Sequence, residues 1–235
     1  MKKLAIFVEG QTEQIFIDNL LQQIVGERNL QIVSIKLMGG AQGSRRTFEL
    51  VADSGLSIEQ KFYVMIVNSQ TDNRVKSDIN DNYESLVANG YSAIVGIRDV
   101  KPEFARNDIP RLRSGLHYRL KTIPIKVIFI LGVMEIESWF LSESTHFERI
   151  HASLTPDKIK KILGYDPRVD DMQMRDDPAG DLHAAYQLVG FAYSKLRNRV
   201  ERTVQVLAYE QLYLGMGGRL FDLDELNRAI DSFFV

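Results

Sequence analysis

The sequence contains no cysteine, few histidines and no long apolar run. The absence of cysteine among 235 residues excludes disulfides, thiolate metal sites and a cysteine nucleophile. Because there are also only four histidines, the composition argues against zinc and favours oxygen ligands, which suit Mg²⁺ or Mn²⁺. The longest apolar stretch, residues 123–134, is interrupted by Pro124 and Lys126, so it does not predict a membrane span.

The chain also lacks an excess of positive charge. Its formal net charge is -2, with 29 Lys and Arg against 31 Asp and Glu. A protein that binds nucleic acid over its whole surface is usually basic, so any contact with a polyanion is expected from a local patch. The first apolar run ends before Glu9 and is too short for the core of a signal peptide. We therefore expect a cytoplasmic protein that does not enter the membrane.

The first part of the chain, residues 1–148, alternates between strand and helix patterns. Apolar runs predict strands at residues 3–8, 30–37, 62–67, 93–97 and 125–133, and helical periodicity predicts helices at 12–25, 75–88 and 109–120. Strands that alternate with helices imply parallel pairing and right-handed crossovers. The prediction is therefore an α/β core with a mostly parallel, Rossmann-like sheet flanked by helices.

The pattern becomes mainly helical in residues 149–235, which we expect to form a helical C-terminal extension packed on the core. Residues 165–180 are rich in aspartate and predict a loop, and residues 181–214 predict a long helix. Asp222 and Glu225 resemble a capping box for the last helix.

Acidic residues recur where the predicted strands end. Since the carboxyl ends of parallel strands form one edge of a sheet, where ligands bind in open α/β folds, these side chains are candidates for one site. Carboxylates gathered in a cleft repel one another unless a cation neutralises them or some are protonated. A divalent metal explains such a cluster and suits phosphoryl transfer. The candidates are Glu9 and Glu13, Asp72 after the third strand, Asp99, Glu135 and Glu137.

A simpler interpretation exists for each acid taken alone. A single acid after a strand is commonly a solvated loop residue or a helix cap. Glu13 suits the first turn of a helix, where a negative charge complements the helix dipole, and Glu135 and Glu137 suit the first turn of a helix that contains Trp139. The coincidence of several acids at one edge, rather than any one of them, favours a site.

Three segments resemble the TOPRIM domain, which topoisomerases, bacterial primases and the OLD-type nucleases of phage-defence systems share. Residues 7–13, with the sequence FVEGQTE, look like its first motif, and residues 93–100 look like its later acidic motif. Residues 134–140 are similar to a further motif of small stand-alone TOPRIM-like proteins from prokaryotes. The resemblance implies Glu9 as the general acid/base or metal-associated carboxylate, and Asp99 as a metal ligand. It covers most of residues 1–140.

The chain departs from this family at one place. The acidic motif of the family usually has two aspartates separated by one residue. Here the residues two positions before and after Asp99 are Ile97 and Lys101, so Asp99 stands alone. Either Glu135, Glu137 or Asp72 supplies the missing ligand, or a single metal binds.

Basic residues fall into local groups that suit phosphate backbones. Lys195 is the candidate for a transition-state or phosphate contact, by resemblance to the basic residue that OLD-like nucleases place near their metal. The alternative for all of these residues is a solvated helix face. The segment after Asp99 carries Arg106, Arg111, Arg113, Arg119 and Lys121. The candidates for binding nucleic acid are Arg45, Arg46, Arg98, Arg111, Arg113 and Arg197.

The residues and the resemblance together favour a metal-dependent nuclease that acts on DNA or RNA, with Glu13 and Lys195 assisting Glu9 in catalysis. The resemblance also implies a toxic effector in antiviral defence, which some relatives pair with an ATPase. The alternative is a non-catalytic TOPRIM-like subunit that regulates or binds such an ATPase. A receiver-like phosphoacceptor fits less well, because the sequence lacks paired acids after the first strand and a lysine after the fifth. A homo-oligomer is a further expectation, through the Trp139 helix and the C-terminal Phe233 and Phe234.

Overall fold

The computed structural model describes residues 1–25, 29–39, 46–55, 61–71, 73–216 and 218–235. The chain divides into two compact units that are interleaved along the sequence. Unit 1 comprises Met1–Arg98, Asn107–Ile130 and Arg228–Val235, and unit 2 comprises Asp99–Arg106 and Leu131–Asn227. The predicted boundary between residues 148 and 149, and the packing of the C-terminal extension on the core, stay predictions.

The described residues contain one six-stranded sheet with the strand order β3-β2-β4-β1-β5-β6. The strands are β1 (Lys2–Val8), β2 (Leu30–Met38), β3 (Thr47–Asp53), β4 (Phe62–Asn68), β5 (Ala93–Asp99) and β6 (Val127–Gly132). β1 pairs in parallel with both β4 and β5, and β2 pairs in parallel with β4. This confirms the predicted α/β class with a mostly parallel sheet, and the arrangement is consistent with a Rossmann-like fold.

The helices lie between and after the strands. They are α1 (Gln11–Val25), α2 (Val75–Ala88), α3 (Ile109–His117), α4 (Glu137–Ser142), α5 (His146–Ile150), α6 (Pro156–Leu163), α7 (Pro178–Gln187), α8 (Arg197–Val204) and α9 (Phe221–Phe234). None of the helices in the described part of the chain is long and apolar enough to cross a membrane.

The central strand β1 explains why its sequence is a continuous apolar run. Residues 4–8 are buried, because strands lie on both sides of β1 and its two faces are both covered. A strand of a parallel sheet that is buried on both faces does not show the alternation of a half-exposed strand. The run therefore ends where burial of apolar side chains ends, at Glu9.

One strand of the sheet was missed by the sequence analysis. β3 pairs antiparallel with β2 at the edge of the sheet, with a register shift at Ser34 and Ile35. Its side chains are mostly exposed, including the large apolar Phe48 and Leu50. Because apolar periodicity reports burial, a short exposed edge strand carries little of the signal that identified the others.

The long helix predicted for residues 181–214 is wrong. α7 ends at Gln187, residues 188–196 form a connection, and α8 follows. Gly190 has a φ of 79°, a left-handed conformation that ends a helix readily when the residue is glycine.

The predicted capping box is also wrong. Asp222 lies inside the first turn of α9, where it is buried and accepts a hydrogen bond of 3.0 Å from the backbone N–H of Leu131.

Candidate functional site

Asp99 is held at the end of β5, within unit 2. The backbone N–H of Lys101 donates to the carbonyl of Met134 at 2.8 Å, which keeps the chain after β5 beside the turn that follows β6. Asp99 is buried, and its Oδ1 accepts a hydrogen bond of 2.9 Å from the backbone N–H of Ile136. A Cβ at Gly132 would collide with this same carboxylate oxygen. The glycine therefore leaves the space that Asp99 occupies.

Glu135 and Glu137 enter the same region from the turn between β6 and α4. Met134 in this turn has a φ of 61°, a left-handed conformation that is uncommon for residues other than glycine. Oε1 of Glu137 accepts a hydrogen bond of 2.7 Å from the hydroxyl of Tyr193. Oε2 of Glu135 accepts one of 3.1 Å from the backbone N–H of Ala179, in the first turn of α7, where the helix dipole favours a negative charge.

The ammonium of Lys195 contacts all three carboxylates. Its Nζ lies 3.1 Å from Oε1 of Glu135, 3.7 Å from Oδ2 of Asp99 and 3.8 Å from Oε2 of Glu137. The lysine side chain is 48% exposed, whereas those of Asp99, Glu135 and Glu137 are 4%, 12% and 0% exposed. Buried carboxylates are costly unless a cation and hydrogen bonds compensate them, and the lysine supplies positive charge from the protein surface. We call Asp99, Glu135 and Glu137 the acidic cluster, and Lys195 is the cation that they share.

The acidic cluster matches a divalent metal in chemistry but not in its present geometry. Three carboxylates are ligands that Mg²⁺ and Mn²⁺ prefer. Their oxygens converge on the ammonium at 3.1 to 3.8 Å, whereas Mg²⁺ takes oxygen ligands at about 2.1 Å. Among the residues that the structure describes, no group of three or more His, Asp or Glu side chains is arranged to hold a metal ion. Metal binding here requires Lys195 to withdraw and the carboxylates to draw together.

Glu9 lies in unit 1, and it is paired with Arg98. Phe7 of β1 is in register with Gly96 of β5, so Glu9 and Arg98, each two residues further on, are opposite each other. Nε of Arg98 lies 3.3 Å from Oε1 of Glu9, and both residues are buried. The guanidinium of Arg98 therefore forms an ion pair within the protein. Its predicted contact with nucleic acid and the predicted catalytic role of Glu9 stay predictions.

Glu13 acts as a first-turn helix acid in unit 1. It is the third residue of α1, and its Oε2 accepts a hydrogen bond of 2.9 Å from the backbone N–H of Gly10. This is half of a capping box, in which an acid in the first turn satisfies a backbone donor just before the helix. The contact agrees with the simpler interpretation of Glu13, and its catalytic role stays a prediction.

The predicted basic residues have different surroundings. Within unit 1, Arg46 points inward. Its guanidinium contacts Asp78 at 2.6 Å and the carbonyls of Leu37 and Ser69, each at 2.8 Å. Arg197, at the start of α8 in unit 2, pairs with Glu201 at 2.8 Å on an exposed helix face.

The other predicted site residues lie on α3 or outside the described part of the chain. Arg111 is exposed on α3, and Arg113 on the same helix is half-buried. Arg45 and Asp72 lie outside the described residues. The roles of all these residues in binding nucleic acid or metal stay predictions.

Sequence reasoning missed the support that holds the acidic cluster. Tyr193 binds Glu137, and Lys195 lies two residues later in a segment that is not helical. Side chains two residues apart in an extended chain point to the same side. A prediction of extended chain after Gly190 would have placed Tyr193 and Lys195 together.

Comparisons with known proteins give no functional name. No family model matches the chain, and no curated protein matches it. The solved structure of a hypothetical protein from Pyrococcus horikoshii OT3 aligns with 100% of this chain and 96% of its own, at 13% sequence identity and a TM-score of 0.41. A likeness at this level carries no argument about function.

Proposed function

We propose that this protein is a metal-dependent nuclease with a TOPRIM-like site, and that it hydrolyses phosphodiester bonds in DNA or RNA. One observation carries the proposal: the buried carboxylates of Asp99, Glu135 and Glu137 all lie within 3.8 Å of a single cation, the ammonium of Lys195. A structural ion pair needs one carboxylate for each lysine. Three around one lysine concentrate negative charge at a point, which is what a Mg²⁺ or Mn²⁺ site requires.

The acidic cluster and Lys195 have different roles in this proposal. Asp99, Glu135 and Glu137 would hold the ion, and the backbone N–H of Ile136 and the hydroxyl of Tyr193 orient two of these carboxylates. A bound divalent ion lowers the pKa of a water molecule and stabilises the charge that develops on a phosphoryl group. Lys195, once withdrawn from the carboxylates, becomes available for a phosphate of the substrate.

The role of Glu9 rests on the resemblance of residues 7–13 to the first TOPRIM motif. In the proposal Glu9 is the general acid/base or a metal-associated carboxylate, and the guanidinium of Arg98, 3.3 Å away, orients it. The resemblance also underlies the further proposals that the protein is an effector of antiviral defence and that an ATPase is its partner.

A second candidate function is a non-catalytic TOPRIM-like subunit. The observation that favours it is the position of Lys195, which already neutralises part of the acidic cluster. Each carboxylate there also has a second donor in Ile136, Ala179 or Tyr193. These donors from within the chain compensate part of the buried negative charge without a metal.

A cleavage assay separates the two candidates. Purified wild type, Asp99→Asn and Glu9→Ala are incubated with plasmid, single-stranded DNA and total RNA, in Mg²⁺, in Mn²⁺ or in chelator. Glu148→Gln is the control, because it removes an exposed acid of α5 that belongs to no predicted site. We expect metal-dependent cleavage by wild type and Glu148→Gln, and its loss in the other two variants. Unchanged cleavage by Asp99→Asn would overturn the proposal, and no cleavage by wild type would favour the non-catalytic subunit.

A further inference from the structure

A local basic segment lies within unit 1. Residues 109–130 carry five Lys and Arg and no Asp or Glu, in a chain whose net charge is -2. The basic residues of this segment are Arg111, Arg113, Arg119, Lys121 and Lys126. Lys121 is paired with Glu84 of α2 at 3.1 Å, so attraction for a polyanion depends on the other basic residues of the segment.

An exposed tyrosine stands at the centre of this segment. Tyr118 follows α3 directly and is 63% exposed. The guanidinium carbon of Arg119 lies 5.1 Å from the centre of its ring, and Nζ of Lys76 lies 5.9 Å from it. The ring is therefore exposed to solvent and has two cations close to it. We call Lys76, Tyr118 and Arg119 the Tyr118 surface.

The backbone under Tyr118 is fixed rather than loose. Nζ of Lys76 donates hydrogen bonds to the carbonyls of Gly115 and Tyr118, at 2.6 and 2.5 Å. These contacts cap the C-terminal end of α3, where a cation is favoured by the helix dipole. Arg119 has a φ of 52°, a conformation that suits glycine better than arginine.

An aromatic ring flanked by cations matches one kind of ligand in particular. Bases stack on exposed aromatic rings, and Arg and Lys beside the ring bind the neighbouring phosphates. Bases in a duplex are already stacked on one another, so the ring can be used only by unpaired bases. Binding to an anionic membrane would also require a broad apolar face. In this segment the exposed large aliphatic side chain is that of Ile123, and one such side chain does not form an apolar face.

We infer that the Tyr118 surface binds single-stranded nucleic acid, through a base stacked on Tyr118 and phosphates held by Arg119 and Lys76. The inference deepens the proposed nuclease function, on which it rests, by naming the form of the substrate and the surface that holds it.

The test is a binding measurement in chelator, where metal-dependent cleavage cannot occur. Fluorescence anisotropy follows the binding of a labelled single-stranded oligonucleotide of mixed sequence, as DNA and as RNA, and of the same sequence as a duplex. The variants are Tyr118→Ala, Tyr118→Phe and Arg119→Ala. Lys161→Ala is the control for charge, because Lys161 is exposed on α6 away from the basic segment in sequence.

We expect Tyr118→Ala to weaken single-strand binding about tenfold and Tyr118→Phe to keep it within about twofold, because the ring and not the hydroxyl stacks. Arg119→Ala should weaken binding and reduce its dependence on salt by about one counterion, whereas Lys161→Ala should match wild type. The duplex should bind more weakly than either single strand.

Three results would overturn the inference: equal affinity of Tyr118→Ala and wild type, tighter binding of the duplex, or binding to anionic phospholipid vesicles without binding to any oligonucleotide. Thermal melting of each variant confirms that it is folded. Because cleavage plays no part here, a failure of the Tyr118 surface leaves the cleavage assay to decide the proposed function separately.

Discussion

The ammonium of Lys195 lies 3.1 Å from Oε1 of Glu135, although nearly half of the lysine side chain is exposed and the glutamate is largely buried. A surface cation thus reaches inward to a group of buried carboxylates. In the proposed function a divalent ion takes this position between the carboxylates. The lysine and the metal are therefore expected to compete.

Replacing Lys195 by methionine should strengthen metal binding. Methionine keeps the length of the side chain but removes the charge, so Mn²⁺ no longer competes with an ammonium for the same carboxylates. We expect Lys195→Met to bind Mn²⁺ about tenfold more tightly than wild type, since one charge at this distance is worth on the order of 1 kcal/mol or more. Isothermal titration calorimetry measures the affinity, and Lys195→Arg, which keeps the charge, should stay near wild type. Weaker binding by Lys195→Met would contradict competition.

Adding one methyl group at Gly132 should displace Asp99. The new Cβ would collide with Asp99 Oδ1 and would lie 2.9 Å from the backbone nitrogen of Ile136. We expect Gly132→Ala to lower the free energy of unfolding by about 2 kcal/mol, as overpacking of a buried site does, and to weaken Mn²⁺ binding. Urea unfolding gives the first quantity.

Gly115→Ala is the matched control for that change. Gly115 is inside α3, and no atom of the described residues lies within 4 Å of a Cβ built there. Alanine there should stabilise the protein by up to about 1 kcal/mol, because it favours the helix. If both alanines changed the free energy of unfolding equally, the close contact at Gly132 would not contribute to stability.

The hydroxyl of Tyr193 should contribute more to stability than the hydroxyl of a comparable buried tyrosine. Tyr193 donates to the carboxylate of Glu137 at 2.7 Å, whereas Tyr186 donates to the neutral hydroxyl of Thr203 at 3.1 Å. Hydrogen bonds to charged groups are worth about 1.5–3 kcal/mol and neutral ones about 1 kcal/mol. Urea unfolding of Tyr193→Phe and Tyr186→Phe compares the two, and an equal or smaller loss for Tyr193→Phe would contradict this prediction.

His146 should make the protein less stable in mild acid. It is buried against Phe147, and its Nδ1 is 2.6 Å from the carbonyl of Glu143. Burial lowers the pKa of His146 to about 4, and the charge of Arg149 acts in the same direction. The ring stays neutral in the folded protein, whereas in the unfolded chain it takes up a proton near its ordinary pKa of about 6.5. Between these values the unfolded state binds more protons, so stability falls as the pH falls.

The expected size of this effect is about 2 kcal/mol between pH 7 and pH 5. Urea unfolding across this range measures it, with His146→Gln as the comparison. The variant lacks the titrating ring, so its stability should change less over the same range. Parallel curves for the two proteins would show that His146 is not the cause.

The sequence was sufficient to predict the buried central strands and the acidic residues that their ends bring together. The apolar runs of β1, β4 and β5 follow from their central places in a parallel sheet, and the grouping of Asp99 with Glu135 and Glu137 follows from neighbouring strand ends. The edge strand β3 could not be found in this way, because its outward side chains are not buried.

The contact between Lys195 and the acidic cluster depends on a break in a helix. Residues 181–214 have enough helical periodicity to suggest one helix, but α7 ends early and Gly190 takes a left-handed conformation. The non-helical chain that follows carries Tyr193 and Lys195 towards the carboxylates. Local periodicity does not record such a break, since tertiary contacts decide between continuing the helix and ending it.

The measurement that tests the central claim most directly is the binding of Mn²⁺ to wild type and to Asp99→Asn, because it reports on the site even in an effector that a partner restrains from cleavage. Electron paramagnetic resonance detects free Mn²⁺, so the decrease in its signal measures the amount of bound ion. The account predicts that wild type binds Mn²⁺ at about millimolar affinity or tighter and that Asp99→Asn loses most of this affinity. Absence of binding by wild type, or equal binding by Asp99→Asn, would contradict it.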